Sequence, residues 1–141
     1  MFSESDTIHG IGIEIIELTQ IRQAVSKWPS TLGERLFTAD EIKYCLEFFN
    51  CTPQFAMRFA AKEAYLKALK QPWVEGMKWT DIEIKIDNSG TPHLVVHGKT
   101  KEIADSLAII KNFVTTSHTT EYAIAQVLLT KVKQKDETNV S

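Results

Sequence analysis

Nothing in this chain approaches the roughly 18 apolar residues in a row that a membrane helix needs, so no spanning segment is expected. Cysteine is scarce. Cys45 and Cys51 are the only two, they do not form a Cys-x-x-Cys pair, and no histidine or cysteine stands around them at ligand spacing. That argues against a disulfide scaffold and against a soft zinc site, and leaves two plain thiols. An excess of one charge is also missing: 16 Lys and Arg face 18 Asp and Glu, for a formal net charge of −2. Such a balance gives no general pull toward nucleic acid or anionic lipid, so neither is an expected partner. An anion site must come from a local cluster of basic residues. Met1 to Thr7 is polar and acidic, without the basic and apolar runs of a secretory signal, and a reducing cytoplasm is the expected location. No internal repeat, low-complexity tract or linker is visible. What remains is ordinary for a globular protein: 141 residues, 43% apolar and 24% charged. That length fits one domain able to bury a core. The expected division is a single domain over 1–130 and a polar tail over 131–141.

The first half of the chain reads mainly as helix. Residues 8–18, IHGIGIEIIEL, are rich in β-branched side chains and form the exception, an expected strand in which Gly10 and Gly12 allow close backbone approach. A helix follows near Thr19 to Trp28 and stops at Pro29. Thr38 with Glu41 three residues on resembles a capping box, which predicts a helix from Ala39 to Phe49. Pro53 opens the longest helical pattern, Gln54 to Lys70, where Phe55, Phe59, Leu66 and Leu69 can face a core. Then the period changes. Ile82, Ile84 and Ile86 alternate with charged residues, as in a half-buried strand. Asn88-Ser89-Gly90 is turn chemistry, and Leu94 to Val96 return as a second strand. An amphipathic helix is expected over 99–109, and two further strands over 113–119 and 122–129. Helices early and antiparallel strands late make the class α+β.

Chemistry concentrates in three places. The segment Arg58-Phe-Ala-Ala-Lys-Glu-Ala-Tyr-Leu-Lys67 sets Arg58 one helical turn from Lys62, and Glu63 one turn from Lys67. Spacing alone permits a solvated charged face with an i,i+4 ion pair. The alternative is a polyphosphate site, since small residues around the charges let another element approach, and Mg²⁺ takes one or two carboxylates together with phosphate oxygens. Glu14 lies in an otherwise apolar strand; it is either an outward edge residue or a partner for Glu63. Ser117-His118-Thr119 stands at a strand end. A lone histidine there is structural, solvated, or a donor to a phosphate oxygen.

In order and spacing these pieces resemble the holo-acyl-carrier-protein synthases, the short members of the 4′-phosphopantetheinyl transferase superfamily. The motifs are Gly10-Ile-Gly-Ile-Glu14, Arg35 to Glu41, Arg58 to Ala64, Gly90-Thr-Pro92 and Ser117-His-Thr119, and they cover residues 8–130. The resemblance implies a compact α+β fold, an antiparallel sheet packed with a long helix, assembled as a homotrimer with coenzyme A in clefts between subunits. It implies transfer of 4′-phosphopantetheine from coenzyme A to a serine of an acyl or peptidyl carrier protein, as in lipid biosynthesis, with release of 3′,5′-ADP. By matching positions, Glu14 and Glu63 hold Mg²⁺, Lys67 meets the phosphate or the nucleophile, and Arg58 and Lys62 lie along the coenzyme A phosphates. His118 reaches the pyrophosphate from the adjacent subunit, and Gly90 and Pro92 line the nucleotide. Glu63, Lys67 and His118 are then the expected catalytic set, with Glu63 accepting or positioning the serine proton.

The chain departs from the family pattern at several points. Glu14 stands where the family usually has aspartate, Met57 where a glycine is usual, and Thr91 where a lysine is common. Only Arg22 and Lys27 are basic on the expected carrier-docking helix. Two other readings share these residues: a non-catalytic coenzyme A-binding trimer, and a metal-dependent phosphohydrolase. The second lacks the extra carboxylates and histidines that a two-metal site needs.

Overall fold

The computed structural model describes residues 6–26 and 31–133. The expected α+β class holds. A three-stranded antiparallel sheet in the order β1-β5-β4 is built from β1 (Asp6–Glu17), β5 (Tyr122–Val132) and β4 (Ile109–His118). A separate hairpin pairs β2 (Ile82–Ile86) with β3 (Pro92–Val96). Among the described residues five helices accompany them: α1 (Leu18–Ser26), α2 (Thr31–Leu36), α3 (Ala39–Leu46), α4 (Thr52–Leu69) and α5 (Gly98–Ser106). A 3₁₀ turn at Trp79–Asp81 leads into β2.

Helix α4 is the centre of the molecule. It starts with proline in its first turn, where the missing N–H costs nothing, and ends at Lys70 in the left-handed conformation, φ 63°. Twelve of its 18 residues are buried, so the helix is enclosed rather than one-sided. Phe55, Tyr65 and Leu69 pack with Ile82 from β2 and with Val127 and Leu129 from β5. The face of β1 that meets α4 carries Gly10, Gly12, Glu14 and Ile16, in the period of two that a strand imposes. Both glycines are needed there. A Cβ on Gly10 would lie 2.1 Å from the Ala68 carbonyl oxygen, and one on Gly12 only 1.9 Å from that of Ala64. The opposite face of β1 exposes Ile11, Ile13 and Ile15, each more than half accessible.

Several boundaries differ from the sequence expectation. The capping box is real: the Thr38 hydroxyl accepts from the Glu41 amide at 3.1 Å, and the Glu41 carboxylate accepts from the Thr38 amide at 2.9 Å. Its helix, however, ends at Leu46, because the Phe48 amide turns back to the Cys45 carbonyl at 3.2 Å. The expected helix over 99–109 stops at Ser106. Ala108 turns with φ 61°, and Ile109 and Ile110 open β4 instead. Strand β5 runs on to Val132, whose amide donates to the Ala108 carbonyl at 3.2 Å, so Lys131 and Val132 pair in the sheet. The short α2 was not expected. Lys27 and the tail beyond Lys133 lie outside the described residues.

The two sheets approach along β3 and β4 without a shared ladder. A side-chain bond crosses there, from Asn112 Nδ2 to the Leu94 carbonyl at 3.1 Å. Cys45 and Cys51 are free. Among the described residues no helix is long and apolar enough to cross a membrane.

Candidate active site

The close contact of β1 with α4 brings one carboxylate from each element together. Glu14 points from the glycine face of β1 toward Glu63, and the two carboxyls share a hydrogen bond. Two carboxylates this close cannot both ionise freely. Burial, together with the hydrogen bond and charge of Glu14, pushes Glu63 from an ordinary 4.5 up to about 7. Glu14 moves the other way. Burial opposes its ionisation, but hydrogen bonds from Lys67 and Glu63 and the Lys67 charge outweigh that and hold it below the usual carboxylate range. Lys67 Nζ sits 2.9 Å from Glu14 Oε2 and 3.0 Å from the Ile13 carbonyl oxygen. The i,i+4 pair that spacing suggests between Glu63 and Lys67 is thus replaced by a pair between elements. Glu14 is not an outward edge residue, since it faces α4 and is 19% exposed.

Arg58 and Lys62, on the same helix, are not on a solvated face. Lys62 has no exposed surface. Its ammonium donates to Glu41 Oε1 at 2.8 Å, to the Trp79 carbonyl at 3.1 Å and to the Ile82 carbonyl. Three donors meet three acceptors, so none is left for a phosphate oxygen. Burial lowers the lysine's pKa, and the Glu41 carboxylate offsets part of that. Glu41 also accepts from the Ile84 amide at 3.1 Å, so this ion pair ties α3, α4 and the start of β2 together. Arg58 is 3% exposed, with its guanidinium 4.6 Å over the Tyr44 ring and Nη1 3.4 Å from the Gln54 carbonyl. Its Nε has no hydrogen-bond partner among the described residues. Among the described residues, the expected contact of Lys62 with coenzyme A phosphates has no geometric basis, and Arg58 faces a small cleft beside Asp40 and Ile86 instead.

His118 lies on the same sheet face as Glu14 but two strands away, since it pairs with Ala123, which pairs with Ile16. Two strand spacings put it about 10 Å to the side. It is exposed, and its Nδ1 lies 3.3 Å from the Thr119 carbonyl. Gly90 and Pro92 sit apart again, at the β2–β3 turn. Gly90 has φ 84° and its amide donates to the Asp87 carbonyl at 2.9 Å. Pro92 borders a cavity of about 190 Å³ between β3 and β4, with His93, Asn112 and Phe113. Within one chain the structure therefore joins Glu14, Glu63 and Lys67 and keeps His118, Gly90 and Pro92 separate. Sequence reasoning missed Glu41 as the partner of Lys62. The capping box signalled only its local role.

The joined cluster is a set of hard oxygen donors beside one ammonium at an accessible surface. Among the described residues no third His, Cys, Asp or Glu joins it, which leaves positions for oxygens of another molecule. That composition suits a divalent cation bridging to a polyphosphate.

Residues 10–127 match the 4′-phosphopantetheinyl transferase superfamily. The holo-[acyl-carrier-protein] synthase of Geobacter sulfurreducens is 42% identical over 122 residues, which are 86% of this chain and 97% of that protein. The enzyme of the same name from Alkaliphilus metalliredigens is 42% identical over 123 residues, covering 87% and 99%. Among solved structures, the holo-(acyl-carrier-protein) synthase of Bacillus anthracis in complex with CoA (3′,5′-ADP) superposes with a TM-score of 0.72 at 34% identity, over 88% of this chain and 97% of that one. By matched length, identity and fold, this chain belongs to the 4′-phosphopantetheinyl transferase superfamily, among the holo-[acyl-carrier-protein] synthases.

Proposed function

We propose that this chain transfers 4′-phosphopantetheine from coenzyme A to a serine of an acyl carrier protein, with Mg²⁺ held by Glu14 and Glu63. The observation that carries this reading is the meeting of those two carboxylates with Lys67 where β1 presses on α4. Their donor set fits the metal: two neighbouring carboxyls share a proton when alone and can exchange it for a cation, and both offer the oxygen ligands that Mg²⁺ prefers. When bound, Mg²⁺ neutralises pyrophosphate charge and favours departure of 3′,5′-ADP.

The chain's own residues do the positioning. The serine oxygen attacks the β-phosphorus of coenzyme A, the bond from that phosphorus to the bridging oxygen breaks, and 3′,5′-ADP leaves with the electron pair. The hydroxyl proton passes to a carboxylate, and Glu63 is placed to accept it or to orient its acceptor. Lys67, half-exposed on a flexible stem, is within reach of a phosphate oxygen above Glu14. Little covalent work falls to the protein, so geometry and charge dominate. Lys62 serves by fixing α4, and so Glu63, from the buried side.

The remaining expected residues require a second copy. His118, Gly90 and Pro92 lie away from the carboxylates within one chain. The exposed row Ile11, Ile13 and Ile15, with Phe113 and Tyr122 on neighbouring strands, is an apolar sheet face suited to self-association. A homotrimer in which one copy's His118 and β2–β3 turn complete another's Glu14–Glu63 site accounts for both facts.

Intact-mass measurement of an apo acyl carrier protein after incubation with this chain, coenzyme A and Mg²⁺ tests the reaction. The expected result is a gain of one phosphopantetheine, lost when either the carrier serine or the metal is removed. An unmodified carrier alongside normal coenzyme A binding would overturn it, as would 3′,5′-ADP released without a carrier.

A further inference from the structure

We infer that Lys67 is a resident counter-cation of the metal-binding carboxylates, one that opposes Mg²⁺ until coenzyme A draws the ammonium away. The inference rests on the assignment of Glu14 and Glu63 to Mg²⁺, and adds to it an order of events.

The ammonium is anchored at two points on β1: Glu14 Oε2 at 2.9 Å and the Ile13 carbonyl oxygen at 3.0 Å. It therefore occupies one carboxylate oxygen that a metal ion could use, while the Ile15 amide donates to the other oxygen of Glu14 at 3.2 Å. Its side chain is 54% exposed while that of Glu14 is 19% exposed, so the pair is reached from solvent with the ammonium already on the carboxylate. A hydrated dication arriving alone meets a like charge first, and must displace an ion pair to gain one ligand. Lys67 is free to be displaced, because its stem is long, half in solvent and held only at its tip.

Coenzyme A changes the exchange. Its pyrophosphate offers the ammonium anionic oxygens in place of Glu14, and offers the metal the oxygens that two carboxylates do not supply. Movement of one side chain then frees Glu14 and engages the substrate together. Mg²⁺ and coenzyme A consequently strengthen each other's binding, and the coupling is reciprocal. Lys67 is thus a positioning residue for the metal as well as a contact to phosphate.

Titration calorimetry of Mg²⁺ into the full chain tests this, for wild type and Lys67→Met, with and without coenzyme A and with no carrier present. Without coenzyme A, Lys67→Met should bind Mg²⁺ about tenfold more tightly than wild type, as expected for loss of a competing cation at close range. Coenzyme A should tighten Mg²⁺ binding more in wild type than in the variant. Lys67→Gln, which keeps a polar tip, should shift both quantities in the same direction. Equal Mg²⁺ affinity of wild type and both variants in the absence of coenzyme A would overturn the inference, while the metal assignment would stand if coenzyme A still promoted binding. No Mg²⁺ binding by any form, with or without coenzyme A, would overturn both.

Discussion

Lys62 and Glu63 are neighbours in sequence and meet opposite surroundings. Lys62 points into the core, where Glu41 and two carbonyls hold all its protons; Glu63 points at Glu14 on the β1 side. Removing one member of a buried ion pair strands the other, which costs about 3–5 kcal/mol. Lys62→Met should therefore lower the urea midpoint by a corresponding amount, a loss that a merely phosphate-binding surface lysine would not produce. Glu63 makes a prediction in pH. Its carboxyl titrates near 7 in the folded chain against 4.5 ordinarily, so the folded state binds the proton more tightly. That contribution favours folding fully below about 4.5 and is lost as pH rises through about 7. Metal-free wild type should lose thermal stability relative to Glu63→Gln between pH 5 and pH 8, and Mg²⁺ with coenzyme A should reverse the loss at the upper end. The same substitution should abolish carrier modification with the fold intact. Persistence of near wild-type transfer would remove Glu63 from the site.

At the scale of elements, the contact of β1 with α4 decides where the carboxylates meet. Gly12 allows it, since a methyl group there would sit 1.9 Å from the Ala64 carbonyl, one residue past Glu63. Gly12→Ala forces strand and helix apart. The overpacking should cost about 2–3 kcal/mol in denaturant titrations. Half-saturation for Mg²⁺ should rise as well, because the proposed ligands Glu14 and Glu63 come from the two separated elements. A stability loss with unchanged Mg²⁺ dependence would show that the contact does not set the metal geometry. Part of this was legible in advance. Glycines in a β-branched run signal close approach, alternating isoleucines signal β2, and Thr38 with Glu41 signals the start of α3. The burial of Lys62 was not legible, because helical spacing reports neighbours three and four residues away and the partner stands 21 residues earlier. Ile109 and Ile110 read equally well as the end of a helix or the start of a strand. Only the turn at Ala108, φ 61°, decides between them. The six residues of α2 are too few to display a period.

For the molecule as a whole, the outer sheet face and the scattered site residues point to the same test. Ile13→Glu places a charge in the middle of the exposed isoleucine row. Light scattering should then report a monomer with normal helix content and lost transfer. Mixing His118→Ala with Glu63→Gln, each inactive alone, should restore part of the activity through hybrid assemblies once subunits exchange. A fully active monomer would sink the shared site. The open seam between β3 and β4 has a different consequence, for the order in which the molecule loosens. The β2–β3 hairpin is fastened to the rest by side chains: Ile82, Ile84 and Leu94 in the core, Asn112 to the Leu94 carbonyl, Thr38 to Glu83, Glu41 to the Ile84 amide and Lys62 to the Ile82 carbonyl. No ladder between β3 and β4 has to break for it to lift away. Its amides should exchange with deuterium as a cooperative unit of their own, at lower free energy than those of β1, β5 and β4. In Lys62→Met, protection should fall first across 82–86 and 92–96, while 123–129 keep theirs, so that one buried ion pair acts as the clasp of a detachable hairpin.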